Sequence, residues 1–554
     1  MLELKFLSSL EKIFPDQGEL DAQPIESGIA ARGERYSFQV ALRSDEPGIY
    51  RVSFESDFNV RVRLVEAVPV MLPANQPDEN MLRTVPGLYP DRLDELECSD
   101  RFRILPRQWR CLWVTVMVPA GAAAGTYPVR FDFHRQEYGG GWLPESAGSA
   151  VFPLEVQPFA LPEQRLLVYE WFHSDCLAAY YKVESWSEEH WKIVENFIVD
   201  AVEHGINVLY TPLWTPPLDT AVGGERPTCQ LLGIRFDPES GRYDFDFSRL
   251  ERFLDLGEKH GVARFGMSHL FTQWGAKYTP KILVENGPIR GEARFGWKVA
   301  STSEEYAAFL RQLLPQLTAL LRRRGLEKRC FFSLSDEPHI DQIETYRKLV
   351  ELVKPLLDGF PTVEALSNFD FYASGLVENP VPAVNRIEPF VGKVPALWTY
   401  YCCSQEQKVP NRFIAMPSAR NRVLGVLAFV YDLAGFLQWG YNFYYSQFST
   451  RLLDPFCETD AGGAFPSGDP FMVYPGRFGE PVSSIRHEVF FEGLQDLRAL
   501  RLLESRIGRD AVLALLNEGL ERPLRMDDYP ASASWLLGLR ERIYRRLAAE
   551  SSAL

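Results

Sequence analysis

Along the first 160 residues, apolar and polar side chains alternate in short runs that carry no helical period. The clearest runs are 35–42, 50–54, 110–118 and 127–133, separated by turn residues at strand-length intervals. This pattern predicts an all-β sandwich over residues 1–160. The small residues of 119–127 read as a turn between two of its strands, and Pro158 and Pro162 mark its end. From about residue 165 the rhythm changes to short apolar strands alternating with amphipathic helices, the mark of parallel β/α architecture. Eight strands are predicted at 166–171, 207–211, 263–269, 330–335, 362–367, 384–390, 396–401 and 435–439. The clearest helices, 188–204, 304–324 and 341–357, each end near a glycine, Gly205, Gly325 and Gly359, as helix C-termini prefer.

Eight such units predict a (β/α)8 TIM-type barrel over residues 161–482, with its active site at the C-terminal ends of the strands. Residues 483–554, rich in leucine, arginine and glutamate at helical spacing, are expected to form a C-terminal helical segment packed on the barrel. The whole is a multidomain chain of 554 residues, long enough for a large core.

Composition narrows the function. Hydrophobic residues make up 46% and charged residues 24%, and no apolar run reaches the roughly 18–20 residues of a membrane span. A formal net charge of −15 argues against nucleic acid, whose phosphates call for a basic face. The N-terminus carries acids early and has no basic head followed by an apolar stretch, so a cytoplasmic location is expected. The eight cysteines show no CxxC pair and the eight histidines no HxH or HExxH pattern, so neither a metal nor a cofactor is expected. Cys402 and Cys403 read as buried small hydrophobes. The expected partner is a small-molecule or oligosaccharide substrate, and self-association into a homo-oligomer is compatible with the sequence.

Candidate chemistry gathers at the predicted strand ends. The run Cys330-Phe331-Phe332-Ser333-Leu334-Ser335-Asp336-Glu337-Pro338 is apolar until it stops at two adjacent carboxylates and a proline. Two like charges in one cleft push their pKa values apart, so that one tends to stay protonated, which suits acid catalysis. The same acids equally suit the N-terminus of the helix that follows, through its dipole. Neighbouring strand ends supply Trp171, His173, Tyr210, His269, Trp274, Trp398, Tyr400, Trp439 and Asn442. Flat aromatic walls around carboxylates and amides suit a sugar, whose C–H faces pack on rings while its hydroxyls need directional partners. Each aromatic taken singly fits the barrel core as well.

Several of these segments together resemble the catalytic domain first catalogued as domain of unknown function 4091, which contains glycoside hydrolase family 123, the β-N-acetylgalactosaminidases. They are Ser335-Asp336-Glu337-Pro338, Trp398-Thr399-Tyr400-Tyr401-Cys402-Cys403, the stretch from Ala419 to Asn442, Gly468-Asp469-Pro470 through Gly476, and 481–496. The similarity covers roughly residues 165–505. It departs from the family at 404–407, where a glycine- and proline-containing turn is usual, and at Pro470, where glycine is commoner. The resemblance implies retaining hydrolysis assisted by the substrate's own 2-acetamido group, an exception to the scheme with a protein nucleophile. It implies that Asp336 orients the acetamido group and that Glu337 protonates the leaving oxygen. It also implies that Trp398 and Trp439 stack on the sugar, Tyr400 and Asn442 bind it by hydrogen bonds, and Asp469 meets its hydroxyls. The alternatives are a glycosidase of another sugar specificity in the same fold and a non-catalytic carbohydrate-binding protein.

Overall fold

The computed structural model describes residues 2–137, 139–286 and 293–552. The N-terminal part is two packed five-stranded sheets. One has the order Leu2–Ser8, Arg35–Ser44, Arg110–Met117, Asn59–Val70, Gly87–Glu95; the other Gly28–Arg32, Gly148–Ala160, Gly125–Arg135, Gly48–Glu55, Phe102–Ile104. All pairings are antiparallel except that of Gly148–Ala160 with Gly28–Arg32. The four runs picked out by alternation fall on these strands, 110–118 running one residue past the end of Arg110–Met117.

The strand Arg110–Met117 shows why one of those runs is apolar almost throughout. Leu112, Val114 and Val116 point into the interior of the sandwich, while Cys111 and Trp113, on the opposite face, belong to the core shared with the barrel. Successive side chains of a strand face opposite ways, so a strand buried on both sides loses its polar alternation.

The barrel strands are β1 Leu167–Glu170, β2 Val208–Thr211, β3 Arg264–Met267, β4 Cys330–Phe331, β5 Val363–Ala365, β6 Asn379–Val381, β7 Trp398–Tyr400 and β8 Gly435–Gln438. Parallel ladders run β4-β3-β2-β1-β8-β7 and β5-β6. Parallel bridges Phe332 to Thr362 and Ala383 to Tyr400 join the two sets and close the ring. Seven predicted strands are found at their places. The sixth is not: 384–390 forms two 3-10 turns, Val384–Arg386 and Glu388–Phe390, and the strand lies just before them. Val384, Ile387 and Phe390 are buried and the residues between them exposed, a period of three that belongs to a 3-10 turn rather than a strand.

The interior of the barrel is filled by rings. Tyr169 on β1 packs edge-on against Phe331 on β4 at 5.3 Å, and Phe331 edge-on against Trp398 on β7 at 6.1 Å. Two glycines make room. A Cβ on Gly266 would lie 2.3 Å from the Tyr169 hydroxyl, and one on Gly435 would lie 2.1 Å from the Trp398 ring.

Helix Glu188–Glu203 is capped by Ser187 and helix Glu304–Arg323 by Ser303, each accepting a backbone N–H of the first turn. Gly205, Gly325 and Gly359 adopt the left-handed conformation expected after a helix. After β8 the chain makes a long excursion and returns as helix Ile485–Ile507, which crosses helix Ser418–Val430 at Gly425 and Gly493. The last helix, Ala533–Ser552, lies between that helix and the sandwich strands Gly28–Arg32 and Gly148–Ala160. Among the described residues, no helix is long and apolar enough to cross a membrane.

Candidate active site

The apolar strand β4 delivers the acid pair, and the backbone breaks at Glu337. Its φ of 45° is left-handed, uncommon and costly for a residue with a side chain. The break removes the strict opposition of neighbouring strand side chains, so both carboxylates reach one pocket. The Glu337 N–H is held by the Ala365 carbonyl at 3.1 Å, and the Asp336 carbonyl accepts from Trp274 N–H at 3.0 Å. The Tyr400 hydroxyl, at the end of β7, donates to Glu337 Oε1 at 2.5 Å.

These side chains line a pocket of about 120 Å³ together with Trp171, Leu218, Asp219, Gln273, Trp274, Ala365, Cys402, Cys403, Leu437, Trp439 and Phe465. Burial, and then the neighbouring carboxylates of Glu337, Glu364 and Asp219, push Asp336 well above the ordinary carboxylate range. Asp219 is pushed up to about 6, chiefly by burial. Beneath the pair, Glu364 on β5 accepts from Leu334 N–H at 2.5 Å and Ser335 N–H at 3.3 Å, and burial raises it to about 8. It braces the backbone that aims Asp336. A wider hollow of about 820 Å³ elsewhere spends its charges on one another, as in Arg420 to Asp78, and offers one aromatic ring, Tyr529.

A family model, the catalytic domain of glycoside hydrolase 123, matches residues 171–503, from the first pocket tryptophan to the helix after β8. The chain belongs to glycoside hydrolase family 123. Its structure is similar to that of a family 123 glycoside hydrolase from Clostridium perfringens, with a TM-score of 0.76 and 15% identity over 99% of this chain and 98% of that one. A family 5 mannosidase from Rhizomucor miehei is similar at a TM-score of 0.34 and 11% identity, over 66% of this chain and 97% of that one. No curated protein sequence matches.

Of the residues singled out in the sequence of this family 123 hydrolase, Trp171, Trp274, Asp336, Glu337, Tyr400 and Trp439 line the pocket. The others stand behind it. Trp398, expected as a stacking wall, is 6% exposed inside the barrel, because β7 points residues 398 and 400 inward at successive depths and only the upper one reaches the mouth. Asp469, expected at sugar hydroxyls, is fully buried: its oxygens accept from Trp439 Nε1 at 2.9 Å and Gln438 Nε2 at 3.1 Å. It holds the pocket tryptophan. Asn442 ties the loops after β1 and β8, accepting from His173 N–H at 2.8 Å.

His173 is buried, and burial together with Arg226 lowers it to about 3, so it stays neutral between Arg226 and the Trp439 carbonyl. His269 is likewise lowered to about 3 by burial, meets the Tyr210 hydroxyl at 3.3 Å and packs edge-on against Trp171 at 5.1 Å. Tyr210 is buried with it.

Sequence reasoning passed over Asp219, Gln273 and Glu364. Asp219 and Gln273 sit in loops after β2 and β3, where no period points to a face. Glu364, an acid inside an apolar run, was the available signal. Cys402 and Cys403, expected to be buried, follow the end of β7 and are half-buried on the pocket wall.

Among the described residues, His173, Asp175 and Cys176 form one group of metal-ligand types. Its lone pairs are taken by Arg226, which donates to both Asp175 oxygens and to His173. Asp200, His204 and His487 form another, bound to one another and to Glu488 and Tyr441 at the base of the barrel.

Proposed function

We propose that this family 123 hydrolase is a retaining β-N-acetylgalactosaminidase that uses the substrate's 2-acetamido group as nucleophile. The observation that carries the reading is the pair itself: adjacent acids turned into one small aromatic pocket by the break at Glu337, with Tyr400 fixing one of them. An inner, apolar-flanked acid beside an outer, exposed one suits two different tasks. The acetamido N–H sits against Asp336, which favours its carboxylate and leaves the pair's proton for Glu337 to donate. The acetamido oxygen attacks the anomeric carbon as the glycosidic C–O bond breaks, and Glu337 protonates the leaving oxygen. The positive charge of the resulting oxazolinium lies against Asp336. Water then adds to the anomeric carbon, gives its proton to Glu337 and reopens the ring, so two inversions retain the configuration.

The substrate on this reading is a single terminal sugar, held among the aromatic side chains around the acids. The Clostridium perfringens relative is described in glycolipid glycan hydrolysis, and a glycolipid glycan is one source of such a terminus.

The test is hydrolysis of an aryl β-N-acetylgalactosaminide. Wild type should release the aryl alcohol, and Glu337→Gln should lower kcat by about 10²–10⁴-fold. A thiazoline analogue of the oxazolinium should inhibit competitively; turnover that this analogue leaves untouched would overturn substrate assistance.

A further inference from the structure

Three polar groups in the pocket remain unexplained by the chemistry above. Gln273 is 8% exposed, and its Oε1 accepts the backbone N–H of Asp219, an assignment imposed by the donor it meets. Its Nε2 is therefore turned away from that contact, buried and, among the described residues, without a hydrogen-bond partner. Trp171 Nε1 is in the same condition. Asp219, also 8% exposed, uses Oδ2 to accept from Phe448 N–H at 3.1 Å, and among the described residues Oδ1 accepts from nothing. Burying an N–H with no acceptor is unfavourable, because the group gives up its hydrogen bonds to water and gains none in return. A role confined to clipping the loops would spend Gln273 Oε1 and Asp219 Oδ2 and leave the two free donors unaccounted for.

The backbone here is also held against its preference. Asp219 has φ 39°, and the Phe448 and Ser449 that clamp it have φ 59° and 54°. Ser449 Oγ donates to the Asp219 carbonyl at 2.6 Å. Left-handed residues with side chains persist where the surroundings over-determine them, and they collect at ligand sites.

We propose that Asp219 and Gln273 are specificity-determining residues that bind the C3 and C4 hydroxyls of the terminal sugar, the carboxylate accepting from a hydroxyl and the amide donating to one. The assignment to C3 and C4 rests on the proposed function. With the anomeric carbon at Glu337 and the acetamido group at Asp336, the next ring positions lie beyond Asp336 from Glu337, and Asp219 and Gln273 line the same pocket as both acids. A hydroxyl both gives and takes a hydrogen bond, which is what this acceptor and donor together offer.

The experiment pairs variants with substrates. Wild type, Asp219→Ala, Asp219→Asn and Gln273→Ala are assayed on the aryl β-N-acetylgalactosaminide and on its 3-deoxy and 4-deoxy analogues, separating KM from kcat. On the parent sugar Asp219→Ala should lose about 100-fold in kcat/KM, and on the analogue lacking its partner hydroxyl less than about threefold. The same loss on all three sugars would make the pair structural and overturn the proposal. A fall in kcat that azide restores as the inverted α-glycosyl azide would make Asp219 a nucleophile, which overturns both this inference and substrate assistance. Where Asp219→Ala does not fold, Asp219→Asn and Gln273→Ala complete the comparison.

If wild type cleaves only other aryl glycosides, the proposed sugar fails, and the deoxy series of the cleaved sugar decides the pair. If it cleaves none, calorimetry with N-acetylgalactosamine and its 3-deoxy and 4-deoxy forms decides: binding that weakens with the variants only for the full sugar supports the pair, and no binding overturns it.

Discussion

At the scale of single residues, the site depends on where protons are held. Tyr400 donates to Glu337 from the end of the neighbouring strand, so it orients the proposed acid without touching the scissile bond. Tyr400→Phe should keep the fold and lower kcat/KM about tenfold, on the order of one lost hydrogen bond. Kinetics on the aryl substrate with an unfolding curve beside them would check this. Glu364 offers a test by pH. Its folded-state pKa is raised from 4.5 to about 8, so between those values the folded protein holds a proton that the unfolded chain releases. Stability therefore falls as pH rises through that window. Glu364→Gln, neutral at every pH, should show a flatter decline between about 4.5 and about 8, measured by denaturant unfolding across pH. Asp336 and Glu337 were legible as a pair because an apolar run ended on them. Their convergence was not, since it depends on one left-handed residue whose φ no side-chain pattern encodes.

At the scale of elements, the decisive contacts are close approaches of backbone. Helix Ser418–Val430 and helix Ile485–Ile507 meet through Gly425 and Gly493, where a Cβ on Gly425 would stand 1.9 Å from the Gly493 carbonyl oxygen. The obstacle is backbone on a packed helix and cannot rotate away. Gly425→Ala should cost about 3 kcal/mol or more and appear as a lowered Tm, with any surviving folded fraction retaining its KM. Seven barrel strands were legible as apolar runs between helices. The sixth was displaced because Val384, Ile387 and Phe390 imitate an apolar run while repeating every third residue. Trp398 and Tyr400 lie two apart on one strand and look equivalent in sequence. Depth within the barrel separates them, one into the core and one onto the pocket.

At the scale of the whole molecule, the sandwich is part of the machinery that holds the pocket. Its residues Leu7, Leu10, Ala31 and Trp113 share one apolar core with the barrel, and buried ion pairs tie the sandwich to the C-terminal helices. Arg540 joins Glu34 to Asp496, and Arg63 meets Glu488. One such link reaches the site. Asp91 of the sandwich binds Arg486 through both oxygens, at 2.9 Å each. Arg486 in turn donates to the carbonyls of Gly468 and Phe471, at 2.6 Å each, which flank the Asp469 that fixes Trp439. Removing one partner of a buried pair leaves the other charge uncompensated, so Asp91→Ala should cost about 3–5 kcal/mol. Because the loosened segment carries Asp469, KM should rise as well, read from substrate kinetics at a temperature where the variant is folded.

The sequence by itself determined the β-rich front, the alternating strands and helices, the position of the acids at a strand end and the family resemblance. These are local in origin: periodicity, turn residues and runs of neighbours carry them. Only the tertiary structure decided which strand-end aromatics are pocket and which are core, that Asp469 serves Trp439, and that Asp219 and Gln273 join the site from separate loops. Those outcomes follow from depth, burial and contacts between segments hundreds of residues apart, none of which one-dimensional spacing records.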